Sequence, residues 1–280
     1  MFNITHEIQK SLKRGVKQLS PKTVQKITQF ILSQYQKESG LFIDRNGRGD
    51  WYYTAFALML CSALKLKPPP IAKTPPENPD FVHYCSWCLA QLITHKISAF
   101  FWMGKRLGKN LTRFYQSKND NFFPQEDRFT PYSQYLFQMT VRACGLPTKH
   151  ADLELYQASD FKGAYSNFQY GTASLNATAA AVILHVIPSV GTIDYLKRMQ
   201  KPEGGFLAHQ NASYPDLLST ALALLALNTL HIDPAYSPVS FIQNCFVNNG
   251  GFAATDFEED IFSDIEYTFY GLLATGSFSP

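Results

Sequence analysis

The chain carries little excess charge. It has 25 Lys and Arg against 22 Asp and Glu, a formal net charge of +3. No basic stripe of the kind that grips nucleic acid follows from that balance, so nucleic-acid binding is excluded as an expectation. Long apolar runs are also lacking. The greasiest stretch, "FVHYCSWCLAQLITHKISAFFWMG", is interrupted by His83, Gln91, His95 and Lys96, and reads as a buried helix or helix pair instead of a membrane span. The opening "MFNITHEIQKSLKRGVKQL" has no apolar centre and does not resemble a secretory signal. Cysteine is scarce and odd in number, with 5 residues, which suggests reduced thiols and a cytoplasmic protein. Cys85-x-x-Cys88, with His83 and His95 nearby, lies in an apolar helical run and reads as core packing, not as a zinc or redox site. "NASYPD" is not a nucleophile elbow, and no Ser or His stands in a nucleophile context.

What the chain does have is a repeat. "SGLFIDRNGRGDWYYTAFALMLCSALKL", "EGGFLAHQNASYPDLLSTALALLAL" and "NNGGFAATDFEEDIFSDIEYTFYGLLATG" share one plan. A Gly precedes an aromatic residue (Phe42, Phe206, Phe252), and an Asp (Asp50, Asp216, Asp264) stands four positions before a Thr (Thr54, Thr220, Thr268). The loop between aromatic and Asp varies in length, whereas the Asp–Thr step does not. A constant step marks the first turn of a helix, and a variable one marks a surface loop. Fainter copies stand in "FTPYSQYLFQMTVRACGL" and "YGTASLNATAAAVILHV", and counting from Ser133 and Thr178 the period lies in the forties. That period belongs to stacked helix pairs.

Each unit reads as two helices. The first is amphipathic, as in "TVQKITQFILSQYQ", where Ile27, Phe30, Ile31 and Tyr35 recur at helical spacing. Gly ends it, because Gly accepts a left-handed backbone without steric cost. The second, as in "LLSTALALLALNTL", is apolar nearly all round and has to be buried on every side. The Asp before it is an N-cap, accepting a backbone N–H and facing the positive end of the helix. Repetition of this turn predicts an all-α, single-domain α/α toroid over residues 1–280, with parallel inner helices forming a barrel inside an outer ring. Residues 1–20 form a helical extension, with Ile8, Leu12, Val16 and Leu19 on one face, which covers the first repeat or touches a membrane surface. Residues 68–79 are a Pro-rich extended connection between early units.

A Gln, a Gly-Gly-Phe turn, then Asp-x-x-x-Thr leading into an Ala/Leu helix resembles the prenyltransferase and squalene-cyclase repeat. "YLKRMQKPEGGF" is similar to the Gln-Trp motif of the triterpene cyclases, with Phe206 in place of Trp, and "DIEYTFYGLL" resembles a segment near the C-terminus of protein prenyltransferase β subunits. The resemblance runs from about Thr23 to the end of the chain and implies the toroid fold. It does not bring either family reaction with it intact. The prenyltransferase zinc ligands are an Asp, a Cys two residues on, and a His in the last repeat. Here Asp216 matches, but Leu218 and Tyr267 stand at the other two positions, so zinc-dependent protein prenylation is not expected and no cofactor is assigned. The Asp-x-Asp-Asp of alkene-protonating cyclases is replaced by the differently spaced "DFEEDIFSD", and no clear Asp-Asp-x-x-Asp magnesium motif occurs.

Two readings follow. In one, the protein is a terpenoid cyclase-like or prenyltransferase-like enzyme acting on an isoprenoid diphosphate or a similar lipid. Arg45, Arg48, Arg128 and His209, on loops feeding the helix N-termini, hold the diphosphate. Trp51, Tyr52, Tyr53, Tyr132, Tyr135, Tyr267 and Tyr270 line the cavity behind them. Asp264 is the candidate acid, assisted by Glu266, because crowding by Glu258, Glu259 and Asp260 raises a carboxyl pKa, and Asp216 is the other catalytic candidate. In the other reading these aromatics fill the barrel, the Asp residues only cap helices, and the toroid is a non-catalytic lipid-binding or scaffolding module.

Overall fold

The computed structural model describes residues 4–77, 79–94, 104–113, 131–146, 155–184, 187–257 and 262–278. Within these the chain is mainly helical. The helices are α1 (Ile4–Gln18), α2 (Pro21–Ser33), α3 (Trp51–Ala63), α4 (Phe81–Thr94), α5 (104–113), α6 (Pro131–Ala143), α7 (Leu175–Ile183), α8 (Val190–Arg198), α9 (Leu217–Thr229), α10 (Val239–Asn244) and α11 (Ile265–Ser277). Short antiparallel pairings sit at the turns. They are β1–β2–β3 (Tyr35–Gln36, Leu41–Ile43, Gly49–Asp50), β4–β5 (Tyr156–Gln157, Tyr165–Ser166) and β6–β7 (Phe252–Ala253, Ser263–Asp264).

The repeat has a hydrogen-bonded cause. Thr54 Oγ1 donates to the Asp50 carbonyl one helical turn back at 2.6 Å and accepts the Phe42 N–H at 2.9 Å. Thr220 does the same with Asp216 (2.7 Å) and Phe206 (2.9 Å), and Thr268 with Asp264 (2.6 Å) and Phe252 (3.2 Å). The fainter copy obeys the rule as well: Thr178 donates to the Ser174 carbonyl at 2.8 Å and accepts the Tyr165 N–H at 2.9 Å. The Asp–Thr step is constant because one hydroxyl ties the first helical turn to the aromatic residue of the preceding turn. The Asp side chains cap as the sequence requires, accepting from Tyr53, Ser219 and Tyr267 N–H, and Ser174 accepts from Ala177 N–H.

The apolar helices pack in sequence: α3 on α4, α4 on α6, α6 on α7, α7 on α9, α9 on α11, and α11 back on α3. Their starts lie together. Leu175 N–H donates to the Ala208 carbonyl in the loop before α9, and Leu217 N–H to the Ala254 carbonyl in the loop before α11. The turns meet the amphipathic helices in register. Thr192 at the start of α8 donates to the Gly163 carbonyl, Gly204 abuts Ser237 and Pro238 before α10, and Gly250 abuts Lys26 of α2. Gly204 and Gly250 have φ of +100° and +101°, and a Cβ there would strike a backbone carbonyl oxygen at 2.2 and 2.3 Å. At the first repeat no amphipathic helix among the described residues answers the turn. The Pro-rich segment stands there instead, with Ala72 N–H bonded to the Gly40 carbonyl and Tyr35 Oη to the Pro70 carbonyl.

The N-terminal helix does not lie on the first repeat alone. It packs chiefly on α11, and also reaches α3 and α6. Ile8 and Leu12 are buried in the core, and Gly15 meets Gly276 so closely that a Cβ on Gly276 would lie 1.7 Å from the Ser11 carbonyl oxygen. No described helix is long and apolar enough to cross a membrane.

Candidate functional site

The best-formed polar cluster lies where the hairpin of the first repeat meets the start of the last apolar helix. The β2–β3 turn is built by Asp44, whose Oδ1 accepts the N–H groups of Asn46 (2.8 Å) and Arg48 (2.9 Å). The adjacent Arg45 reaches across to α11. Its Nε donates to Asp264 Oδ2 at 2.5 Å and its Nη2 donates to Glu266 Oε2 at 2.8 Å. Its guanidinium carbon stands 4.8 Å from the centre of the Tyr267 ring. Tyr52 Oη donates to the remaining oxygen of Glu266, Oε1, at 2.8 Å, and the Tyr53 ring packs on that of Tyr52 at 5.9 Å between centroids.

The electrostatics follow from burial. The side chains of Asp264 and Glu266 are 10% and 11% exposed, whereas Arg45 is 48% exposed. Burial pushes the Glu266 pKa up, while the Tyr52 hydroxyl and Arg45 oppose the shift. Burial alone would lower the Arg45 pKa, but the bond to Asp264 and the two carboxylate charges hold it above its ordinary value. The Tyr53 and Tyr267 phenols are pushed up, first by burial and then by the carboxylates around them. Beneath the cluster lies an aromatic group. Tyr52 meets Phe56 at 4.6 Å between centroids, Phe56 meets Phe269 at 4.5 Å and Tyr270 at 5.8 Å, and Phe269 meets Tyr270 at 5.3 Å.

The structure thus brings together Arg45, Tyr52, Tyr53, Asp264, Glu266, Tyr267 and Tyr270 from the residues picked out in the sequence. Others lie apart. Trp51 packs with Leu41, Leu58 and Ala90, against Trp87 and Ile71, on a different side of α3. Tyr135 is buried in the main core. Arg48 and His209 are exposed on their loops. Arg128 and the acidic residues Glu258, Glu259 and Asp260 lie outside the described residues, as does the side chain of Tyr132. At the helix starts Asp50, Asp216, Asp264 and Ser174 each accept one N–H, that of Tyr53, Ser219, Tyr267 and Ala177.

Asp216 accepts both the N–H and the hydroxyl of Ser219 at 2.7 Å. Burial raises its pKa, and the two bonds from Ser219 act in the opposite direction. Tyr267 lies close enough to feel its charge. Leu218 and Tyr267 offer no thiolate or imidazole beside Asp216, and among the described residues no three His, Cys, Asp or Glu side chains are grouped to hold a metal. Cys85 and Cys88 are buried free thiols whose pKa values are raised by burial.

Sequence reasoning noted His83 only as a break in the apolar stretch and a neighbour of Cys85 and Cys88, and it overlooked the rings of Phe56 and Phe269. His83 bridges the starts of α3 and α4, its Nε2 2.8 Å from Asp50 Oδ2 and its Nδ1 2.7 Å from Asp80 Oδ2. The bonds to Asp50 and Asp80 push its pKa up to about 10. The Asp80-x-x-His83 spacing at a helix start was the available signal.

A family model described as the prenyltransferase alpha-alpha toroid domain matches residues 15–107 and 126–274. No curated protein matches the chain. The repeated Gly turn, the Asp-capped apolar helices and this match over most of the length agree, and the chain belongs to the prenyltransferase alpha-alpha toroid domain family.

Proposed function

We propose that the six apolar helices are the inner barrel of an α/α toroid and that the protein handles an isoprenoid chain at the end where those helices begin. The observation that carries this reading is the pair of buried carboxylates, Asp264 and Glu266, set over the Tyr52–Phe56–Phe269–Tyr270 aromatic group. A prenyl group suits such a floor, since each buried CH₂ contributes roughly 0.8 kcal/mol before the costs of association. Glu266 is the acid in this reading. Burial favours its neutral form, and Asp264 retains Arg45 when Glu266 takes up a proton. A protonated Glu266 can then deliver that proton to an alkene carbon or a leaving oxygen, and the aromatic faces stabilise the positive charge that develops.

Arg45 is engaged by two carboxylates, which favours an uncharged isoprenoid over a diphosphate. Zinc-dependent protein prenylation is not proposed, because Leu218 and Tyr267 cannot ligate as a Cys and a His would. A second reading, a scaffolding toroid without turnover, is favoured by the close packing of Phe56 and Tyr270, which are only 5% and 3% exposed. Calorimetry with farnesol and farnesyl diphosphate, followed by mass spectrometry of products, separates the two. The enzyme reading expects farnesol to bind at least as well as its diphosphate, and Glu266→Gln to keep binding but lose turnover. Absence of binding by both compounds gives the scaffold reading its place.

A further inference from the structure

The Thr that holds each Gly turn also fixes which way its apolar helix faces. A residue two positions before or after that Thr stands about 200° round the helix from it, on the side away from the turn. In the proposed barrel that side is the inside. Two positions before the Thr stand Tyr52, Asn176, Leu218 and Glu266. The bond from Tyr52 to Glu266 joins two of them across α3 and α11. Burial picks out the same positions. Asn176 is the one residue of α7 that is not buried. Tyr52 is alone in the same way in α3 up to Leu60, and Leu218 in α9 up to Leu227. Helices closed on every other side are open at one inward position near their starts, which is where a barrel has its mouth.

Three of these four side chains are accounted for. Tyr52 donates to Glu266, Glu266 accepts from Tyr52 and Arg45, and the Leu218 side chain has no polar atom. Asn176 differs. Its Oδ1 is buried and has no hydrogen-bond partner among the described residues. A buried amide oxygen without a donor opposes folding, and an apolar residue would avoid that cost, as Leu218 does in α9. An acceptor kept at such a position calls for a partner from outside the chain. One turn further on the same face is Ala180, two positions after Thr178. The equivalent residues of α3, α9 and α11 are Phe56, Leu222 and Tyr270, so of these four helices α7 puts the smallest side chain into the barrel.

We infer that the mouth of the barrel takes an isoprenoid alcohol, with its hydroxyl on the Asn176 amide and its chain running past Ala180. A hydroxyl both donates and accepts, so it satisfies the amide whichever end of that group faces it. A hydrocarbon can do neither. A diphosphate would bring negative charge to a mouth where two carboxylates already share one arginine. The inference rests on the isoprenoid reading and narrows it from any uncharged isoprenoid to one that carries a hydroxyl.

The test is binding of farnesol and of farnesene, the hydrocarbon with the same chain, to the native protein and to Asn176→Leu. The variant should bind farnesol about tenfold more weakly, the size of one hydrogen bond, and farnesene as before. Asn176→Ala, which adds no bulk, should act in the same direction. A Tm no lower than that of the native chain is the folding control for Asn176→Leu, since that change removes the unpartnered oxygen. Unchanged affinity of both variants for farnesol overturns the inference, and so does an equal loss of both ligands. If farnesene binds and Asn176 makes no difference, the isoprenoid reading stands without this inference. If neither ligand binds the native chain, both fall.

Discussion

Replacing Thr220 by Val should destabilise the protein more than replacing it by Ser, although Val preserves the shape. Thr220 is fully buried, and its hydroxyl is the acceptor for the Phe206 N–H at 2.9 Å. Phe206 is fully buried too, so water cannot take over. Leaving a buried N–H without an acceptor costs about 1–3 kcal/mol. The Asp216 carbonyl is less affected, because it still accepts the Thr220 N–H at 3.0 Å. The extra methyl of Val returns about 0.8 kcal/mol at most. The net loss is about 1–2 kcal/mol. With unfolding entropy of about 2.1 cal/mol/K per residue, a chain of 280 residues should lose about 2–3 °C in Tm. Thr220→Ser keeps the hydroxyl and gives up only a methyl, so it should cost under about 1 kcal/mol. Scanning calorimetry and urea titration of both variants are the assay. A Val variant as stable as the native chain, or more stable than the Ser variant, would mean that the Phe206 N–H finds another acceptor and that the Asp–Thr step has a different cause.

Two further outcomes follow from the charged clusters. Arg45→Met strips the cation from two carboxylates that are about one-tenth exposed, and should cost about 2 kcal/mol, less than a fully buried pair because the guanidinium is half in solvent. Adding Glu266→Gln should recover part of that loss, and strict additivity of the two changes in urea denaturation would refute the coupling. His83 has its pKa raised from 6.5 to about 10, so its contribution is complete below about pH 6.5 and is lost as the pH rises through about 10. The Tm gap between the native chain and His83→Gln should therefore narrow between neutral pH and pH 10, and a gap that stays constant or widens would show that the ion pairs with Asp50 and Asp80 do not act in this way.

Local chemistry determined what could be read from the sequence alone. A Gly turn, an Asp cap and a Thr one helical turn later interact within a few residues or across one loop, so the helix starts after Asp50, Asp216 and Asp264 were legible as spacing. The buried character of α3, α9 and α11 was legible as well, because a helix apolar on all faces has nowhere to go but inside. The same property hid the site. An amphipathic helix declares its inward face, but in "WYYTAFALML" nothing tells which ring turns which way. Successive residues on a helix point about 100° apart, and only packing decided that Tyr52 meets Glu266 while Trp51 joins Leu58 and Ala90. Arg45 lies 219 positions from Asp264 in the chain, a pairing that exists because α11 returns to pack on α3. That return, the seat of α1 against α11, and the Pro-rich segment standing where the other turns meet a helix were decided by the tertiary structure. Each depends on surfaces that come together only when the chain closes on itself.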